Sequence, residues 1–331
     1  MEYRTLGATT LTFPAVSFGA WAIGGWAWGG PRDADAVAAL EYALDCGITA
    51  IDTAPSYGMG HSERLVGQAV AGRRDRVLIA TKCGVRWDLE EGLRARDVVD
   101  NEGHACAFYR NSRPASLKHE CEQSLKRLKT DYIDLYQIHW PDPTSSLDEA
   151  WDTLLDLQRE GKVRALGVSN FTVDMLDTCF AKGGLASLQP KYNALQRNIE
   201  SEILPWCRDR GVGVLAYSPL AQGLLTGKFR PGAAFPQDDI RSENPLFAPR
   251  NLDKIAAMLD ALRPMAQDRG ATLGQLFLAW TLAQPGIATV LAGVRDKHQV
   301  EENARAATIR LGGDELTAIR ALLEGLSLDP A

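Results

Sequence analysis

Eight short apolar runs, rich in valine, isoleucine, leucine and alanine, recur along the chain, with amphipathic stretches between them. The runs predict strands over Ala15–Phe18, Ala50–Asp52, Val77–Lys82, Ile133–His139, Val163–Val168, Ser187–Tyr192, Gly213–Tyr217 and Ala288–Ala292. The stretches between them carry apolar residues at helical spacing and predict helices over Asp33–Asp45, Ser62–Val70, Pro114–Leu128, Leu147–Glu160, Thr172–Ala181, Ser201–Arg210, Arg263–Ala283 and Asp296–Ala306. Ser62 is the expected N-cap of the second helix. Ahead of them, Met1–Phe13 reads as a hairpin turning at Gly7-Ala8-Thr9. Two connections, Cys83–Arg113 and Leu220–Asn251, are too long for simple turns.

Strands that alternate with helices imply a parallel sheet with right-handed crossovers. The runs show little in–out alternation, as expected for strands buried on both faces. Three of them end on a polar residue: Asp52, Lys82 and His139. Polar strand ends recur along the chain instead of clustering at one switch point, which favours a closed barrel over a doubly wound sheet. The expected architecture is therefore a (β/α)8 TIM barrel, residues 1–331 forming a single domain, with an N-terminal β-hairpin and long loops at the C-terminal face.

Composition adds exclusions. The chain has 331 residues, is 45% hydrophobic and carries a net charge of −6. No cluster of lysine and arginine suggests a nucleic-acid partner. The six cysteines are scattered without metal-site spacing, as are the five histidines, so no metal is expected. Reduced cysteines and an N-terminus without signal-peptide character suggest a cytoplasmic protein. Phe13–Gly30 lacks charge and is long enough to span a bilayer, but its glycines fit a strand and loop better, so no membrane partner is expected. Gly211–Ala216 matches a dinucleotide fingerprint, yet it follows a helix and is itself the strand. Gly223–Lys228 is one residue short of a phosphate-binding P-loop.

The strand ends suggest one chemistry. Carbonyl reduction needs a hydride source, an acid for the carbonyl oxygen and a second donor to hold that oxygen. Tyr57 lies five residues past Asp52, where its hydroxyl can turn over the barrel mouth. Lys82, one strand over, would lower the phenol from its usual value of about 10. Asp52 would keep Lys82 charged, and His139 would donate to the same oxygen. Read singly, Asp52 and Lys82 make an ordinary ion pair, Tyr57 a loop anchor and His139 a core histidine. Their shared position at neighbouring strand ends favours the catalytic reading.

The segments Asp52–Gly58, Thr81–Gly84, Leu135–Pro143, Gly161–Asn170, Ala216–Leu220 and Gly223–Lys228 together resemble the aldo-keto reductase superfamily, over nearly the whole chain. The long loop, with its Arg110-Asn111-Ser112 run, is similar to that of bacterial members of the inositol-operon and general-stress type. The resemblance implies NADPH bound in extended form, with Ser169, Asn170 and Gln189 at the nicotinamide carboxamide and Tyr217 stacked on its ring. It further implies that Ser218, Leu220, Gly223 and Lys228 follow the pyrophosphate. Gly293 opens the adenosine segment, with Arg295 at the 2′-phosphate and Gln299, Glu302 and Asn303 at the adenine. Asp296 puts a carboxylate beside Arg295, which keeps NADH as the alternative cofactor. Trp21, Trp87 and Trp140 follow strand ends and are candidate substrate walls; Trp151, Trp206 and Trp280 lie within helices and read as packing. The expected activity is reversible reduction of an aldehyde or ketone, sugar-like in view of the charged loop. A slow-turnover subunit that senses the nicotinamide cofactor is the alternative. The sequence names neither the substrate, nor the oligomeric state, nor a role for Cys83.

Overall fold

The computed structural model describes residues 1–26, 32–230, 232–233, 235 and 239–329. The chain opens with β1 (Tyr3–Thr5) and β2 (Thr12–Pro14), then runs through β3 (Val16–Gly19), α1 (Asp33–Asp45), β4 (Ala50–Asp52), α2 (His61–Ala69) and β5 (Leu78–Cys83). Three strands interrupt the alternation: β6 (Val85–Arg86), β7 (Leu93–Val99) and β8 (Ala105–Arg110). It resumes with α3 (Pro114–Leu128), β9 (Ile133–Ile138), α4 (Leu147–Arg159), β10 (Val163–Ser169), α5 (Val173–Lys182), β11 (Leu185–Gln189), α6 (Ile203–Arg210) and β12 (Gly213–Tyr217). Then come α7 (Pro249–Asp268), α8 (Leu273–Leu282), β13 (Ile287–Gly293), α9 (Lys297–Ala306) and α10 (Gly313–Glu324).

Strands β3, β4, β5, β9, β10, β11, β12 and β13 close in that order into a parallel barrel, with β13 pairing back to β3 through Val290–Val16 and Gly293–Gly19. This is the expected (β/α)8 architecture. The hairpin β1–β2 packs Leu6, Leu11 and Phe13 against Ala50, Ala80, Leu135, Ala165 and Leu215. These alanines leave room that the larger hairpin side chains fill. Gly7 is required there: its φ is +52°, and a Cβ would lie 2.5 Å from the Ala186 carbonyl oxygen.

Four local expectations are corrected. The helix expected over Arg263–Ala283 is instead the end of α7, which starts earlier at Pro249, and a separate helix, α8. Gly270 turns the chain with φ +58°, and Thr272 restarts it through a capping box with Gln275. Helix α10 was not anticipated. Ser62 does not cap α2; Gly60 holds that position, and buried Ser62 bonds Thr53 and the Ala20 carbonyl. The connection Cys83–Arg113 is a folded antiparallel sheet, β6-β8-β7. Its hairpin turn is held by Asp100, which accepts from the Glu102 and His104 amides at 2.8 and 2.9 Å. Val85, Val98 and Phe108 of this sheet form a small apolar cluster with Trp26, Met59 and Trp87. Among the described residues, no helix is long and apolar enough to cross a membrane.

Candidate active site

The β4–α2 loop carries Tyr57 and lies directly on the β3–α1 connection. A Cβ on Gly24 would sit 2.8 Å from the Tyr57 carbonyl carbon, and one on Gly58 would sit 1.9 Å from the Gly24 carbonyl oxygen. Both positions therefore need glycine to let the backbones approach. Asn101, at the tip of the β7–β8 hairpin, donates to the Gly24 carbonyl at 2.8 Å. Three segments thus converge on the backbone that presents Tyr57.

Lys82 is fully buried, an expensive place for an ammonium unless it is paired. Its Nζ donates to Asp52 Oδ1 at 2.6 Å, to the Thr53 carbonyl at 2.9 Å and to the Tyr57 hydroxyl at 3.2 Å. Asp52 uses its other oxygen, Oδ2, to accept from Gln189 Nε2 at 2.8 Å. The Tyr57 ring lies between Trp21, stacked at 6.0 Å, and His139, edge-on at 5.9 Å. His139 Nδ1 is 3.5 Å from Ser56 Oγ. The four residues singled out from strand-end chemistry thus stand together at one end of the barrel.

Burial governs their protonation. Burial, and then the charge of Asp52, push the Tyr57 phenol well above 10. This is opposite to the lowering expected from Lys82: the nearby ammonium does not offset desolvation. Burial lowers Lys82, with Asp52 opposing that shift by charge and hydrogen bond. Burial, Lys82 and Arg110 together hold His139 well below 6.5. The resting site contains a protonated phenol and a neutral imidazole.

Beside this centre runs a second network. Tyr217 donates to Asn170 Oδ1 at 2.9 Å, and Asn170 Nδ2 donates to the His139 carbonyl at 3.1 Å and to Ser169 Oγ at 3.0 Å. Ser169 donates to the Gln189 carbonyl at 2.7 Å. Asn170 and Ser218, at the ends of β10 and β12, have φ of +63° and +52°. Non-glycine residues with such values cluster at functional sites.

A cleft of about 400 Å³ opens from Tyr57, Asp52, Trp21 and Tyr217. Ser218, Leu220, Gly223 and Lys228 line it from the segment after β12. Gly293, Arg295, Gln299, Glu302 and Asn303 line it from the end of β13 and from α9. Lys82, His139, Ser169, Asn170 and Gln189 lie outside that lining. So do Trp87 and Trp140: Trp87 packs in the hairpin cluster with Arg127 5.8 Å from its ring, and half-exposed Trp140 has Arg110 at 5.2 Å. Asp296 caps α9 by accepting from the Gln299 amide at 2.9 Å.

Sequence reasoning missed Arg241 and His298, which also line the cleft. Arg241 bonds Asp239 and lies in an irregular segment without periodicity; its basic character was the only available signal. Burial and the charges of Arg241 and Arg295 push Lys228 down, while burial and Arg241 lower Arg295. The cleft thus concentrates positive charge.

Barrel, buried Asp52–Lys82 pair beneath the cleft-lining Tyr57, and cationic cleft define an oxidoreductase-like site. The aldo/keto reductase family profile matches residues 15–324, and the chain belongs to that family. It is 38% identical, over 89% of its length and 90% of the relative's, to the NADH-specific methylglyoxal reductase of Escherichia coli K12. Among solved structures it resembles the glycerol dehydrogenase AKR11B4 of Gluconobacter oxydans, with TM-score 0.89, 38% identity and coverage of 99% of this chain and 97% of that one. It also resembles an aldo/keto reductase from Klebsiella pneumoniae in complex with NADP and acetate, with TM-score 0.73, 31% identity and coverage of 98% and 96%.

Proposed function

We propose that this protein reduces an aldehyde or ketone to an alcohol, reversibly, with NADPH as cofactor and NADH as the alternative, and with Tyr57 as the proton donor. The observation that carries this reading is the placement of Lys82 Nζ between Asp52 Oδ1 at 2.6 Å and the Tyr57 hydroxyl at 3.2 Å.

The cleft residues fit a nicotinamide dinucleotide phosphate. Lys228, Arg241 and Arg295 line one cleft, and their mutual repulsion and partial burial would be relieved by an anion. Gly223, with φ +86°, gives a backbone shape that brings Lys228 close. Lys228 and Arg295 would hold phosphate groups, and Tyr217, fixed by Asn170, would face the nicotinamide. The related E. coli enzyme is named NADH-specific and the Klebsiella structure contains NADP, so both cofactors occur among relatives of this chain.

When bound, the cofactor supplies the hydride. The protein's own residues manage the proton and the oxygen. Tyr57 is protonated at rest and within reach of a carbonyl oxygen placed above it. As that oxygen gains negative charge, Tyr57 releases its proton, and the Lys82 ammonium stabilises the phenolate left behind. Asp52 keeps Lys82 charged and oriented. Ser56 Oγ lies 3.5 Å from His139 Nδ1; the neutral imidazole, in the tautomer with its hydrogen on Nε2, would hold the substrate oxygen. Trp21 excludes water from one face of Tyr57.

The test is consumption of NADPH and NADH with a panel of aldehydes, ketoses and keto-sugars. Turnover supports reduction. Tight binding without turnover supports the cofactor-sensing alternative, and no binding overturns both.

A further inference from the structure

We propose that Arg110 selects carbonyl substrates that carry an anionic group, a carboxylate or a phosphate monoester, away from the reacting carbon; the proposal rests on the reductase reading above.

The insertion Cys83–Arg113 holds five arginines. Four of them are matched by carboxylates. Arg86 pairs with Asp88 at 2.6 Å, Arg94 with Asp97 at 2.6 Å, Arg96 with Glu243 at 2.7 Å and Arg113 with Glu91 at 3.8 Å. Arg110 makes no ion pair among the described residues. Its side-chain hydrogen bond goes to the Pro141 carbonyl at 3.3 Å, and its guanidinium carbon lies 5.2 Å from the Trp140 ring centroid. Both contacts are with the two residues that follow His139.

Strand pairing fixes this location. Arg110 ends β8, opposite Val85 and Leu93. Asp142, on the segment after His139, is already committed to the Ser112 amide at 3.0 Å, the Thr144 amide at 2.8 Å and the Thr144 hydroxyl at 2.7 Å. The protein therefore places a partly buried cation beside the proposed oxygen-holding histidine and, among the described residues, pairs no carboxylate with it. Its charge reaches that histidine, helping to keep it neutral.

A planar guanidinium with several donors matches the oxygens of a carboxylate or a phosphate better than it matches a hydroxyl. The contact with the Trp140 ring at 5.2 Å and the bond to the Pro141 carbonyl restrain the guanidinium and reduce the freedom lost on binding. Arg110 does not line the cleft that holds Lys228, Arg241 and Arg295. An anion at Arg110 would therefore be separate from one held by those three cations, and its place beside the residues that follow His139 assigns it to the substrate.

The experiment compares matched substrates in the full-length wild type, Arg110→Gln and Arg110→Lys. Succinic semialdehyde is paired with butanal for the carboxylate arm, and glyceraldehyde 3-phosphate with glyceraldehyde for the phosphate arm. The readout is the ratio of kcat/KM for the anionic over the neutral member. A charge-assisted contact predicts a wild-type preference in at least one arm that falls about ten- to hundredfold in Arg110→Gln, through KM more than kcat. Arg110→Lys, which keeps the charge but not the fork, falls between them and controls for loss of fold. The arm that responds identifies the anion. A wild type without preference in either arm, or a preference that survives Arg110→Gln, overturns the proposal. If the wild type reduces none of the four compounds but turns over members of the wider panel, the proposal is overturned and the reductase reading stands; if it reduces nothing in either set, both fall.

Discussion

Gln189 Nε2 donates to Asp52 Oδ2 at 2.8 Å, reaching from the end of β11 to the end of β4. The two oxygens of Asp52 are thereby divided between Lys82 and Gln189. Resemblance suggests a nicotinamide contact for Gln189; its amide nitrogen also orients the carboxylate that orients the lysine. Gln189→Leu leaves a buried carboxylate oxygen unpaired and should cost about 1–3 kcal/mol, read as a lower urea midpoint. Gln189→Glu should be worse, because it sets a second carboxylate against Asp52.

Arg295 is half-buried among Arg241 and Lys228, so its removal should be felt through cofactor charge. Arg295→Ala should lower kcat/KM for NADPH about ten- to hundredfold, with a smaller change for NADH. Steady-state kinetics with both cofactors check this. Equal losses for the two would place Arg295 away from the group that distinguishes them.

The reduction rate should be nearly flat between pH 6 and 9. Tyr57, raised well above 10, stays protonated throughout that range, and His139, lowered well below 6.5, stays neutral. The reverse oxidation needs the phenolate and should rise with pH. His139 also affects stability: its folded-state value is depressed, so its contribution is present above pH 6.5 and is lost as pH falls below that. A bell-shaped reduction profile centred within pH 6 to 9 would contradict these protonation states.

Glu120 offers a second titration with the opposite sign. It is buried beneath the end of β5, where it accepts from the Gly84 amide at 3.0 Å and from Ser116 Oγ at 3.2 Å. Burial pushes it up to about 7. A raised folded-state value means that its stabilising contribution is full below the unfolded value of 4.5 and is lost as pH rises towards 7. Relative to Glu120→Gln, the wild type should gain about 2–3 kcal/mol between pH 8 and 5, measured by denaturant titration at each pH.

The barrel was legible because each of its strands is buried on both faces, so Ile133–Ile138 and Val163–Ser169 read as apolar runs. The Asp52, Lys82 and His139 strand ends stood out as polar terminators of those runs. Strand β7 was not legible: almost every residue from Leu93 to Val99 is exposed, so neither burial nor alternation marks it. The break between α7 and α8 lay in Gly270-Ala271-Thr272, whose turn and cap signals were outweighed by apolar helix on both sides. The direction of the Tyr57 shift was hidden for another reason. Sequence shows which charges are near in the chain, but the depth of burial, which dominates here, arises only from the closed barrel and its covering hairpin.

The most direct test of the account is Tyr57→Phe, assayed for turnover and for NADPH binding by fluorescence titration. The substitution removes one hydroxyl and preserves the ring packed between Trp21 and His139. With Tyr57 as the proton donor, kcat falls by about 10²–10⁴ while NADPH still binds. A variant that binds NADPH and keeps kcat within about tenfold of wild type would contradict the assignment of Tyr57 as the proton donor.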